Sequence, residues 1–133
     1  MKKLIRALAI ALAISALLLS LVSCTAPAKN PEDAKKALEE NSYIIVTYID
    51  NPSELRTILG KDMGLVTYLC AADENYENII YVYYFETSAD AKDAYKEVGK
   101  IMERTAAEEG WIIKRSGKMI YTGTEAAVKA AKE

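Results

Sequence analysis

Residues 79–110 read IIYVYYFETSADAKDAYKEVGKIMERTAAEEG. The first seven, Ile79–Phe85, are all β-branched or aromatic, which predicts a strand. Thr87 or Ser88 then supplies a helix N-cap, and Gly110 supplies a typical stop. Between them, apolar and small side chains recur at three- and four-residue steps and predict one long helix: Ala91, Ala94, Tyr95, Val98, Ile101, Met102 and Thr105.

Four further segments have strand character: Tyr43–Ile49, Leu65–Ala71, Trp111–Lys114 and Met119–Thr122. Tyr43–Ile49 is largely apolar on both faces, which predicts a central strand. The last two segments flank residues 115–118, which contain a glycine and predict a hairpin. With Ile79–Phe85, these segments predict a sheet of about five strands.

Shorter helices surround these strands. Asn30 as N-cap and Pro31 at the first helical position begin one helix, which Asn41 can end. Pro52–Leu59 predicts a short second helix, and Thr124 caps a last amphipathic helix.

The element order α-β-α-β-β-α-β-β-α predicts an α+β domain in which a small antiparallel sheet is backed by helices. Its middle, β-α-β-β-α-β, has the connectivity of a split βαβ, ferredoxin-like fold. The alternative is an antiparallel meander with one long helix, because the second helix is short.

The first 24 residues differ in composition from the rest. Lys2, Lys3 and Arg6 form a positive start, and an uncharged apolar run from Ala7 to Val22 follows. The run is slightly shorter than the roughly 20 residues that span a bilayer. It ends in the sequence LVSC at positions 21–24.

This segment resembles the lipobox signal peptide of bacterial lipoproteins, in which aliphatic and small residues precede a cysteine. The resemblance implies cleavage between Ser23 and Cys24 and a diacylglycerol thioether on Cys24. Acyl chains on this residue would hold the protein on the outer side of the cell membrane. The covalent lipid is the only attached group expected, with no further cofactor. An uncleaved anchor helix, with Cys24 incidental, is the alternative.

The chain then divides into a signal peptide over 1–23, a lipidated cysteine and short tether over 24–29, and one α+β domain over 30–133. Loss of the three cations of the leader takes the formal net charge from −2 to −5. An acidic domain repels phosphate, so nucleic acid is not an expected partner.

Histidine is absent from the chain. This excludes Ser–His and Cys–His nucleophile pairs and histidine metal sites. Cys70 lies in an apolar strand with no histidine to activate it, so a buried structural thiol is expected.

The acidic side chains suggest no specific site. Residues 73–78 offer oxygen ligands at alternate positions, but Tyr84 stands where an EF-hand has its bidentate glutamate, so a solvated loop is preferred to an ion site. Asp90 and Asp93, which with Glu86 are candidate paired carboxylates, stand where a helix start favours negative charge. No metal site or catalytic residue is predicted.

Tyrosine is the most informative residue type in the sheet. Tyr81 and Tyr83 share one face of their strand, and Tyr84 lies on the other. Tyrosine presents an apolar ring with a polar tip, so these three residues are the candidate ligand or partner surface. Cross-strand packing is the alternative. Trp111 is expected in the core.

These features predict a membrane-anchored binding or protein-interaction module for an envelope protein or glycan, and not an enzyme. A small carboxylate enzyme acting on envelope glycan without histidine is one alternative. A structural accessory subunit is the other.

Overall fold

The structure, a computed structural model, describes residues 26–52 and 62–132. The predicted leader, Ser23, Cys24 and most of the helix predicted for Pro52–Leu59 lie outside these ranges. The described elements, in chain order, are α1 (Pro31–Glu40), β1 (Ile44–Asp50), β2 (Leu65–Ala72), β3 (Ile79–Phe85), α2 (Ser88–Glu109), β4 (Ile112–Ser116), β5 (Met119–Gly123) and α3 (Glu125–Ala130).

The five strands form one antiparallel sheet in the order β1-β2-β3-β5-β4. The predicted α+β class, with a five-stranded antiparallel sheet backed by helices, is therefore confirmed. Strands β1, β2 and β3 form a meander. Helix α2 then joins β3 to β4, and β5 lies between them, which is one split βαβ unit. The full ferredoxin-like order is not formed, because β1 pairs with β2.

Helices cover both faces of the sheet. Helices α1 and α3 pack on one face, where Leu69, Val82 and Tyr121 are buried. Helix α2 packs on the other face, over Phe85 and Ile120. Alternation along β3 and β5 therefore sends neighbouring side chains to two different cores.

Helix α2 begins and ends where the sequence predicts. The Thr87 hydroxyl oxygen accepts a hydrogen bond from the Asp90 amide at 3.0 Å, and Gly110 has a left-handed φ of 72°. The buried positions of the helix are small residues, Ala91, Ala94, Gly99 and Ala106. Ile101, expected on the inner face, is 68% exposed. Small inner residues let the helix approach the sheet closely, and the larger apolar side chains lie along its flank.

Strand β1 is an edge strand and not the central strand predicted from its composition. Ile45 and Tyr48 pack toward the α1 core. Ile44, Val46 and Ile49 are between 40% and 50% exposed. Apolar residues on both faces indicate two apolar surfaces, but they do not determine which strands pair on either side, and among the described strands β1 pairs with β2 alone.

The chain before α1 is attached to the domain. The Ala28 amide donates to the Ala131 carbonyl at 3.0 Å, and the Tyr84 hydroxyl donates to the Ala28 carbonyl at 2.8 Å. Ala28 is buried in the α1/α3 core. The segment predicted as a tether over 24–29 therefore already belongs to the domain at Ala28.

Candidate functional site

A cleft of about 260 Å³ lies between α2 and the sheet. Strand β3 and the start of β4 contribute aromatic side chains, β5 contributes a threonine, and α2 contributes three side chains. The lining residues are Tyr81, Tyr83, Ile101, Met102, Thr105, Trp111 and Thr122. We call this feature the α2 cleft.

Strand alternation places the two cleft tyrosines. Tyr81 is paired with Thr122 of β5, and Tyr83 is paired with Ile120. Paired residues of antiparallel strands point to the same face. Ile120 belongs to the core beneath α2, so Tyr81, Tyr83 and Thr122 all face that helix.

The aromatic rings form contacts across this face. The ring centroids of Tyr81 and Trp111 are 5.8 Å apart and tilted by 43°. Those of Tyr68 and Tyr83 are 5.2 Å apart and also tilted by 43°. Both distances lie in the range for favourable aromatic pairs. Trp111, expected in the core, is half-buried and forms one wall of the cleft.

Thr122 places a polar atom in an apolar setting. Its side chain is 7% exposed, and among the described residues its hydroxyl oxygen is buried without a hydrogen-bond partner. An unsatisfied buried hydroxyl costs about 1–3 kcal/mol. Thr105, on the helix side, donates its hydroxyl to the Ile101 carbonyl at 3.2 Å, so that hydrogen is already used.

The α2 cleft carries no formal charge near neutral pH. None of its lining residues is acidic or basic. Burial raises the pKa of the Tyr83 phenol, and Tyr81 and Cys70 nearby raise that pKa further. Burial also raises the pKa of Tyr81. Both phenols therefore remain protonated and can donate hydrogen bonds.

Tyr84, the third tyrosine of the predicted surface, lies on the opposite face of the sheet. It is 3% exposed and packs with Val82 and Tyr121 in the α1/α3 core. Its hydroxyl is bonded to the Ala28 carbonyl. The structure therefore brings Tyr81 and Tyr83 together in the cleft but does not include Tyr84.

Cys70 is a buried free thiol, as the sequence indicates. Burial raises the pKa of the thiol, and a hydrogen bond with Tyr68 only partly opposes this effect. A raised pKa keeps the sulfur protonated, and the thiol is a poor nucleophile compared with the thiolate.

In the acidic loop over residues 73–78, the first carboxylate is hydrogen-bonded within the loop. One oxygen of Asp73 accepts hydrogen bonds from the Glu77 and Asn78 amides at 2.9 and 3.1 Å. The other accepts from the Asn78 side-chain amide at 2.8 Å. The Asn78 hydrogen bonds, the side-chain one first, lower the pKa of Asp73. These bonds close a turn, which is what a solvated loop requires.

Two of the three paired-carboxylate candidates share a second concavity. Asp90 and Asp93 line a space of about 160 Å³ together with Asp62 and Glu97, and Glu86 is not among its lining residues. Within residues 26–52 and 62–132, no group of three or more acidic or cysteine side chains is arranged to hold a metal ion. Over the same ranges, no helix is both long and apolar enough to cross a bilayer.

Thr122 is the cleft residue that the sequence reasoning missed. Its strand, Met119–Gly123, is buried throughout, and a threonine in such a strand is the available signal. The sequence predicts that the cleft residues of α2 lie on one apolar face of the helix. It does not predict that this face forms the rim of a cleft.

The sequence matches no protein-family model and no curated protein, and no solved structure matches the fold. The function of this protein is therefore inferred from its residues and from the geometry of the α2 cleft.

Proposed function

We propose that this chain is a lipid-anchored binding module on the outer side of a bacterial membrane. The α2 cleft is the observation that carries the binding part of the proposal. The anchoring part is supported by the basic start, the apolar run and the LVSC sequence at positions 21–24.

The composition of the cleft supports binding. Binding sites are concave and mostly apolar, with a few polar groups that fix orientation. The α2 cleft combines the rings of Tyr81, Tyr83 and Trp111 with the side chain of Thr122, whose buried hydroxyl has no partner among the described residues. Tyrosine and tryptophan are also the residues most enriched where proteins make energetically important contacts.

The same composition favours a binder over an enzyme. The residues that line the cleft offer phenols and hydroxyls but no carboxylate, thiol or amine for acid–base or nucleophilic chemistry. The carboxylate alternative would have to use the concavity around Asp90 and Asp93. No aromatic ring lines that space to stack on a sugar.

One observation favours an accessory subunit as the second candidate. Edge strands offer unpaired backbone groups to a partner strand, and β1 presents the exposed side chains of Ile44, Val46 and Ile49 beside that edge. Such a subunit would contact a larger envelope complex through β1 and would not need the cleft.

The anchor can be tested by intact mass measurement of protein extracted from bacterial membranes. We expect residues 1–23 to be absent and Cys24 to carry a diacylglycerol. A Cys24→Ala variant should keep its leader, and a Cys70→Ala variant, which changes the only other cysteine, should be processed normally. An unmodified Cys24 in the native protein would contradict the anchor.

The binding surface can be tested with two matched variants. Ile101→Glu places a charge at the cleft rim, and Ile44→Glu makes the same change on β1, where the isoleucine is also exposed. Both proteins are purified from membranes, and co-purifying components are identified by mass spectrometry. A component lost only with Ile101→Glu supports the binding module. Loss only with Ile44→Glu would assign the contact to β1, and no component in either case would contradict a stably bound partner at either surface.

A further inference from the structure

We infer that the α2 cleft takes an uncharged fused-ring aromatic molecule that carries one hydrogen-bond donor. This inference rests on the proposed binding function and specifies the chemical class of the ligand. It follows from the size, charge and polarity of the cleft.

The size of the cleft fits a bicyclic ring. An apolar cavity of about 150 Å³ is large enough to hold benzene. At about 260 Å³, the α2 cleft has room for two fused rings. Tyr81 and Trp111 offer tilted ring faces, which suit stacked and edge-to-face contacts with an aromatic ligand.

The charge of the cleft selects a neutral ligand. An ionised group needs an opposite charge or several hydrogen bonds when it leaves water. None of the described residues that line the cleft is charged, so a carboxylate, phosphate or ammonium would lose hydration without meeting an opposite charge. A sugar ring meets a similar difficulty, because it would bury several hydroxyls against Ile101, Met102 and the aromatic walls.

Thr122 is the residue that we assign to the hydrogen-bond donor of the ligand. Its hydroxyl oxygen is shielded and has no partner among the described residues, although the side chain lines the cleft. Staggered rotamers of a threonine differ by about 120° in χ1, so one rotation exchanges the hydroxyl with the methyl group. A ligand N–H or O–H then pairs with an acceptor that is otherwise unsatisfied.

Indole and indene are the matched probes for this inference. They have almost the same shape, but only indole carries an N–H group. The lipidated mature protein is placed in bicelles with labelled methionine methyl groups. Met102 reports on the cleft, and Met119, which is buried in the α1/α3 core, is the internal reference.

The expected result is a shift of the Met102 methyl signal on addition of indole, with the Met119 signal unchanged. Indene should bind about two- to tenfold more weakly, the usual effect of one net hydrogen bond. Thr122→Val, which keeps the shape and removes the hydroxyl, should bring indole to the affinity of indene. Ile101→Glu should weaken both ligands, and Ile44→Glu should weaken neither.

Two outcomes would overturn the inference. Equal affinity of the wild-type protein for indole and indene would remove the role of Thr122. A Gly-Trp-Gly peptide that bound more than tenfold tighter than free indole would assign the cleft to a side chain of a partner protein. A protein with lipidated Cys24 but no response at Met102 would refute this inference alone, whereas an unmodified Cys24 would contradict the anchored module.

Discussion

Gly123 lies at the end of β5 with a φ of 153°, a value that residues with a side chain rarely adopt. A Cβ atom at this position would collide with the carbonyl oxygen of Ile79, which is part of the neighbouring strand. The same carbonyl accepts a hydrogen bond from the Thr124 amide at 3.0 Å. The absence of a side chain therefore permits the close passage of β5 past β3.

Gly123→Ala is expected to destabilise the protein by about 2–4 kcal/mol, because it combines backbone strain with a backbone collision. Gly117→Ala is the matched control, since Gly117 also has a positive φ, of 56°, but has open space where a Cβ would stand. That variant should lose only about 1 kcal/mol. Urea denaturation measures both, and equal losses would show that the collision has no effect.

Individual side chains also show what the sequence could reveal about the site. Alternation along Ile79–Phe85 correctly separated Tyr81 and Tyr83 from Tyr84. The unpaired hydroxyl of Thr122 could not be predicted, because it depends on which groups the folded chain places above β5. The position of Trp111 at a cleft wall depends in the same way on α2.

Helix α2 was predictable from the sequence because its end signals are local. Its N-cap, apolar periodicity and terminal glycine lie within 24 residues, Thr87 to Gly110. The place of β1 at the sheet edge was not predictable, because apolar faces do not determine whether a second strand pairs with β1 on the side away from β2. The ferredoxin-like order was also not resolved by element order alone, since the same sequence of helices and strands permits several pairings.

Thr87→Ala should destabilise the protein by about 1 kcal/mol, because it removes the acceptor for the Asp90 amide at the start of α2. Thr87→Ser keeps that oxygen and should retain most of the stability. Thermal unfolding followed by circular dichroism compares the two. If both variants unfolded at the wild-type temperature, the cap would not contribute to the stability of the domain.

The whole domain encloses several tyrosines whose pKa values burial raises. Tyr84 and Tyr121 lie in the core under α1 and α3, and Tyr83 lies under α2. In the unfolded chain these phenols ionise near pH 10, where the folded chain still holds their protons. The unfolded state then binds fewer protons than the folded state, so stability must fall as pH rises.

Stability should therefore be unaffected by these groups below about pH 10 and should fall above it, by up to about 1.4 kcal/mol per pH unit for each fully protected phenol. Tyr84→Phe removes one such group and should reduce the slope of stability against pH between pH 10 and 11.5. Urea denaturation midpoints measure the slopes. Identical slopes for wild type and Tyr84→Phe would contradict the contribution of Tyr84.

If Cys24 carries the proposed lipid, the two hydrogen bonds at Ala28 would limit how the domain moves. Cys24 is only four residues before Ala28, which is hydrogen-bonded to the domain. The backbone between the two residues is therefore at most about 14 Å long. A connection this short, ending beside Lys29 and α3, would restrict the rotation of the domain relative to the bilayer. One side of the molecule would then always face the headgroups, and any ligand would have to approach from the remaining sides.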